Sequence, residues 1–199
     1  MSRTILFPLL LMLGLLQSSG AWAQASKYPE GYIVSNQGDT TKGFVRTGDD
    51  FRDQQYIIFY DEYAVKAKYT PERISAFGYN DRHYESKPRP YLYSGLLADT
   101  VMFLQRKING QAKLFRFYTR RSIFTLQNGP AFFDLLQKPD GKLYEVSYNF
   151  KWKRIADALE EYPELAQAIR NDLFGPEDIA EIIRAYNDWY REQRKGMEP

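Results

Sequence analysis

Cysteine is absent from this 199-residue chain, and histidine occurs once, as His83. Without thiols there is no disulfide framework, no thiol nucleophile, no Cys-ligated zinc and no iron–sulfur cluster. His83 lies in Asp81-Arg82-His83-Tyr84-Glu85, where a strand begins, and reads as an exposed or half-buried strand histidine rather than a catalytic base. The sequence also lacks Gly-x-Ser-x-Gly, Ser-x-x-Lys, a phosphate loop, a dinucleotide fingerprint and EF-hand spacing. No catalytic residue, metal or cofactor is therefore implied. An excess of one charge is missing too. Lys and Arg number 27 against 25 Asp and Glu, a balance that argues against a nucleic-acid or anionic-membrane partner.

Long apolar runs are confined to the start. Arg3 precedes an apolar stretch from Ile5 to Leu16, followed by Gln17-Ser18-Ser19-Gly20 and Ala21-Trp22-Ala23. A basic residue, a short apolar region and a small-x-small site together predict a cleavable signal peptide over residues 1–23. The apolar stretch is shorter than the about 20 residues of a membrane-spanning helix. No Cys follows it to carry a lipid, and no later span is long enough to cross a bilayer. The expectation is an exported chain, periplasmic or surface-associated, without a transmembrane segment in its mature part. A Cys-free exported domain of this size must rely on its hydrophobic core, which favours a bacterial envelope protein.

Residues 24–149 read as β-rich. Tyr32-Ile33-Val34 and Gly43-Phe44-Val45 flank Asn36-Gln37-Gly38-Asp39, a hairpin pattern. Further strands are predicted at 56–60, 64–69, 74–79, 83–86, 100–107, 113–119, 123–126, 131–136 and 143–146. Asn109-Gly110 predicts a hairpin turn with positive φ. In Pro139-Asp140-Gly141, proline pre-sets φ and glycine accepts the left-handed position. After Phe150 the apolar period becomes helical. Trp152, Ile155, Ala156 and Leu159 form one stripe, Pro163 opens a second helix, and Pro176 opens a third carrying Ile179, Ile182, Ile183, Tyr186 and Tyr190. Strands followed by helices predict an α+β fold: an antiparallel β-rich domain (curved sheet, sandwich or partial barrel) with two or three C-terminal helices, residues 150–195, packed on it as one domain.

The acid pairs offer a test for polysaccharide hydrolysis, which needs two converging carboxylates. Asp49-Asp50 reads as a solvated loop, Asp61-Glu62 as neighbours on opposite strand faces, and Glu160-Glu161 as the end of a helix. Asp49, Asp50 and Asp53 could offer oxygen ligands to calcium, but their spacing matches no recognised calcium loop. Arg116, Arg120 and Arg121, with Lys113, invite an anion clamp or, more simply, a charged hairpin end. Aromatic content is high, with 16 Tyr, 13 Phe and 3 Trp. Tyr60, Tyr63, Tyr91 and Tyr93 are candidate ligand contacts within this load, since rings with polar tips suit sugars and partner proteins; filling a half-buried sheet is the plainer reading.

Three segments resemble a group of uncharacterised exported proteins common in Bacteroidetes bacteria. They are Gly31-Tyr32-Ile33 with Gly38-Asp39-Thr40 and Lys42-Gly43, then Tyr69-Thr70-Pro71-Glu72-Arg73-Ile74-Ser75-Ala76-Phe77, then Tyr162-Pro163-Glu164-Leu165 with Ile169 and Ala185-Tyr186-Asn187. The resemblance implies export and a single domain, and it brings no catalytic residue. Together these features predict a non-enzymatic binding or interaction module of the envelope, its partner an envelope protein or a glycan. A hydrolase of envelope polysaccharide and a small-ligand carrier are the alternatives.

Overall fold

The computed structural model describes residues 27–90, 97–119, 131–146 and 152–195. The expected signal peptide, the expected strand at 123–126, and Tyr91, Tyr93, Arg120 and Arg121 lie outside the described residues. The fold is α+β: ten strands, antiparallel at every described pairing, followed by helices. The chain divides into two compact units, residues 1–86 and 87–199.

The first unit contains β1 (Glu30–Ser35), β2 (Thr40–Arg46), a one-turn helix α1 (Asp50–Asp53), β3 (Ile57–Tyr60), β4 (Lys66–Tyr69), β5 (Ile74–Tyr79) and the start of β6 (Arg82–Pro90). Their order across the sheet is β6-β5-β1-β2-β3-β4. Register decides which side chains are buried. Ile33 faces Phe77 and Phe77 faces Tyr84, while Val45 faces Phe59. Because alternate residues share a face, Ile33, Val45, Ile57, Phe59, Phe77, Tyr79 and Tyr84 all lie on one side, and all are buried. Removing each such side chain from water contributes about 1.5–3 kcal/mol. The Phe77 and Tyr84 rings stack at 4.5 Å.

The second unit carries β7 (Leu97–Ile108), β8 (Lys113–Thr119), β9 (Ala131–Gln137) and β10 (Leu143–Val146), in the order β10-β9-β8-β7. Helices α2 (Arg154–Ala158), α3 (Pro163–Arg170) and α4 (Ile179–Lys195) follow, with Pro176–Asp178 forming a 3₁₀ turn into the last. Pro163 and Pro176 sit at the helix starts, where the missing N–H costs nothing. Leu114, Leu136 and Val146 join Trp152, Ile155, Leu159, Leu165, Ile169, Ile182, Ile183 and Tyr186 in one buried cluster. The opposite sheet face buries Leu104, Phe115, Phe117 and Leu135. Strand β8 thus buries apolar side chains on both faces, Leu114 on one and Phe115 and Phe117 on the other, with Arg116 between them in sequence.

Two turns separate the roles of glycine. Gly141 has φ of 85°, as its Pro-Asp-Gly setting predicts. Gly110 does not adopt positive φ, contrary to the Asn-Gly expectation. Its missing side chain serves another end, because a Cβ there would strike the Asn187 amide. Asn187 is buried and bridges the backbone of Ala112, accepting from its N–H at 2.7 Å and donating to its carbonyl at 2.9 Å. The β7–β8 turn is thereby fastened to α4.

Candidate functional site

Three polar clusters among the described residues gather candidate site residues, and two of these are internal. Around α1, Asp49 caps the helix by accepting from the Arg52 N–H at 2.7 Å, and Asp50 pairs with Arg82 at 2.6 Å. Asp53 is fully buried and accepts from the Tyr79 hydroxyl and the Gly48 N–H, each at 3.0 Å, and from Arg52 at 3.3 Å. Burial raises the Asp53 pKa, and the hydrogen bonds and the Arg52 charge only partly oppose it. Burial likewise pushes the Tyr84 phenol well up, with the neighbouring Tyr79 phenol adding to the rise. The solvated loop expected at Asp49-Asp50 is thus a capped helical turn. Its three acids point to three separate sets of partners, not to one cation.

In the second unit, Gln105, Arg116 and Asp134 stand opposite one another across β7, β8 and β9. Arg116 grips the fully buried Asp134 with two bonds, Nε to Oδ1 at 2.8 Å and Nη2 to Oδ2 at 2.9 Å. Its guanidinium also lies 3.7 Å from the centre of the Phe132 ring. The Tyr118 hydroxyl donates to Gln105 at 2.7 Å. Arg116, read from sequence as an anion clamp, here holds an anion that the protein itself supplies.

The other acid pairs are also engaged locally. Asp61 lies in the β3–β4 turn, not in a strand, and accepts from the N–H groups of Tyr63 and Val65 at 2.9 Å. Glu160 pairs with Arg170, and Glu161 with Lys138 and the Tyr186 hydroxyl.

The third cluster is superficial. It lies on the face of the first unit's sheet opposite its buried side. Register places Tyr32, Lys42, Phe44, Arg46, Ile58, Tyr60, Lys66 and Lys68 on that face together with Gly78 and His83. Phe44 stands opposite Tyr60, and Tyr60 opposite Lys66. Tyr28 stacks on Tyr60 with centroids 5.4 Å apart, so Tyr60 is buried beneath a half-exposed ring. Tyr32 reaches across Gly78 to bond His83 Nδ1 at 2.8 Å, and a Cβ at Gly78 would press on the Tyr32 ring at 2.6 Å. Lys42, Arg46, Lys66 and Lys68 are exposed. Tyr63, at the tip of the β3–β4 turn, is 74% exposed.

Of the residues singled out from sequence, Tyr60 lies within this face and Tyr63 in the turn that follows it. Arg116 belongs to the other unit's buried pair. The four cations were missed because none is adjacent to another in the sequence. Their signal is the two-residue step, Lys66-x-Lys68 and Lys42-x-Phe44-x-Arg46, which puts each set on one strand face. The chain matches no family model, no curated protein and no solved structure.

Proposed function

We propose that this protein is an exported envelope protein that acts without catalysis, as a binding module, and that the outer face of the first unit's sheet is its binding surface. The observation that supports this reading is the contrast between the two sides of that sheet. One side is a close-packed core of Ile33, Val45, Phe59, Phe77 and Tyr84. The other presents half-exposed rings, Tyr28, Tyr32 and Phe44, among exposed cations. Aromatic groups with one apolar side and one wet side favour recognition of sugars and of protein partners.

Replacement of Tyr28 and Phe44 by Ala, followed by affinity capture from envelope extract and a glycan array, tests the proposal. The expected result is a partner or glycan retained by the native chain and lost from the variant. Equal retention by both, or measurable turnover of a polysaccharide by either, would sink it. The hydrolase alternative requires two acids facing one cleft roughly 5 to 9.5 Å apart. The buried Asp53 and Asp134 are each held in hydrogen-bond networks of their own unit.

A further inference from the structure

We propose that the ligand of this face is an acidic polysaccharide, its sugar rings lying on Tyr28 and Phe44 and its carboxylates meeting Lys42, Arg46, Lys66 and Lys68. The inference rests on the reading of this face as a binding surface and adds the chemistry of the occupant.

The charge pattern carries it. Several cations elsewhere in the molecule are matched by acids, whereas others, Lys107, Arg154, Arg184 and Lys195 among them, stand singly on other surfaces and are not gathered on one sheet face. Arg82 pairs with Asp50, Lys138 with Glu161, Lys153 with Asp172, Arg170 with Asp157 and Glu160, and Arg191 with Asp188. Lys42, Arg46, Lys66 and Lys68 have no ion-pair partner among the described residues. Lys68 instead lies 4.0 Å from the centre of the Tyr56 ring. Register places two acids on this face, Glu30 on β1 and Glu85 on β6, and neither lies on the strands β2 and β4 that carry the cations. The local excess of positive charge stands out because the whole chain is nearly neutral, at +2.

Geometry narrows the kind of anion. The cations are spread over two strands, β2 and β4, with Phe44, Ile58 and Tyr60 between them. Strands β2 and β4 flank β3, so the two rows stand about 10 Å apart across the sheet. A single phosphate or carboxylate would engage one row at a time. A chain carrying repeated carboxylates would engage both, and apolar sugar faces would cover the rings between them. Arg46 offers two parallel donors to a carboxylate, whereas the lysines act as point charges. An exposed sheet face also admits an extended polymer without a closed pocket.

Binding of polygalacturonate to the full exported chain, measured by titration calorimetry at low and high salt, tests the proposal. Three comparison probes accompany it: the fully methyl-esterified polymer, poly-glutamate, and vesicles of anionic phospholipid. The variant Lys66→Glu with Lys68→Glu reverses charge on one row. Arg184→Glu with Lys195→Glu makes the same change of net charge on exposed positions of α4. Polygalacturonate should bind, weaken at least tenfold with esterification and at least tenfold in the β4 variant, and change less than twofold in the α4 variant. Raised salt should weaken it as well, since exposed charges are screened.

Equal binding of the esterified polymer would overturn the acidic ligand while leaving the binding surface standing. Tighter binding of poly-glutamate or vesicles would overturn the sugar. Failure of every probe, while Tyr28→Ala with Phe44→Ala still abolishes capture from envelope extract, would remove the polysaccharide alone. Failure of both experiments would remove the surface too. Thermal melting of each variant, expected to match the native chain because all four substituted residues are exposed, guards against misfolding.

Discussion

Asn187→Ala isolates the fastening of α4 to the β7–β8 turn. In the folded chain Asn187 satisfies both the N–H and the carbonyl of Ala112, a residue with no solvent exposure. Truncation leaves two buried backbone groups without these bonds. Each such group costs about 1–3 kcal/mol, so the expected loss is about 2–6 kcal/mol. That is a large share of the about 5–15 kcal/mol that stabilises a typical domain. Urea denaturation gives the loss, and hydrogen exchange at the Ala112 amide reports it locally. Gly110→Ala provides an independent handle, because its added methyl would meet the Asn187 amide. If displacement of Asn187 is the reason that substitution hurts, its cost should shrink when Asn187 is already Ala. The double-mutant cycle should therefore show coupling of at least about 0.5 kcal/mol. A loss under about 0.5 kcal/mol for Asn187→Ala, or strictly additive costs, would refute the fastening.

Four further outcomes follow from the site geometry. Arg116→Met should cost more than Asp134→Asn in thermal melting, about 3–5 kcal/mol, because it strips the guanidinium from a fully buried carboxylate. Burial raises the Glu161 pKa, but its hydrogen bonds to Lys138 and Tyr186 outweigh burial and hold it below the ordinary value. A depressed folded pKa contributes stability above the unfolded value that is lost as pH falls through the folded one, so Glu161→Gln should flatten the acid limb of a melting profile. Asp53 has the opposite sign: its raised pKa lowers stability as pH climbs from the ordinary carboxylate value through the folded one, and Asp53→Asn should remove that fall. Finally, Gly78→Val should crowd the Tyr32 ring, break the Tyr32–His83 bond and cost about 1–3 kcal/mol, read by melting and by the His83 imidazole resonances.

The α+β order was legible because period and punctuation agreed. Ile74–Tyr79, Lys113–Thr119 and Leu143–Val146 fall where alternation and turn residues place them, and Pro163 and Pro176 mark the helix starts. Boundaries drifted where neighbours decide them: β6 runs on through Pro88 to Pro90, and α2 begins at Arg154, two residues after Trp152. Gly110 was misread because Asn-Gly signals a conformation, whereas the actual demand came from Asn187, 77 positions away in sequence. No local pattern carries that information. Asp53 is the same kind of case. Nothing around it announces full burial, which depends on Tyr79 and Gly48 being folded onto it.

The cationic face was half legible, because its cations are spaced along strands while Arg120 and Arg121 stand side by side in the sequence. Adjacent arginines look like a site, whereas cations two residues apart on a strand share a face without being neighbours in the sequence. Spaced lysines look like solubilising decoration of an edge strand, which is a sufficient reason for Lys66 and Lys68 on β4 alone. That reason does not extend to Lys42 and Arg46. They lie on β2, which is paired on both sides by β1 and β3 and has no open edge to protect. Cations repeated on an inner strand, facing the same way as those on the edge and flanking a row of rings, are better explained by something negative that lies across the sheet than by defence of its rim.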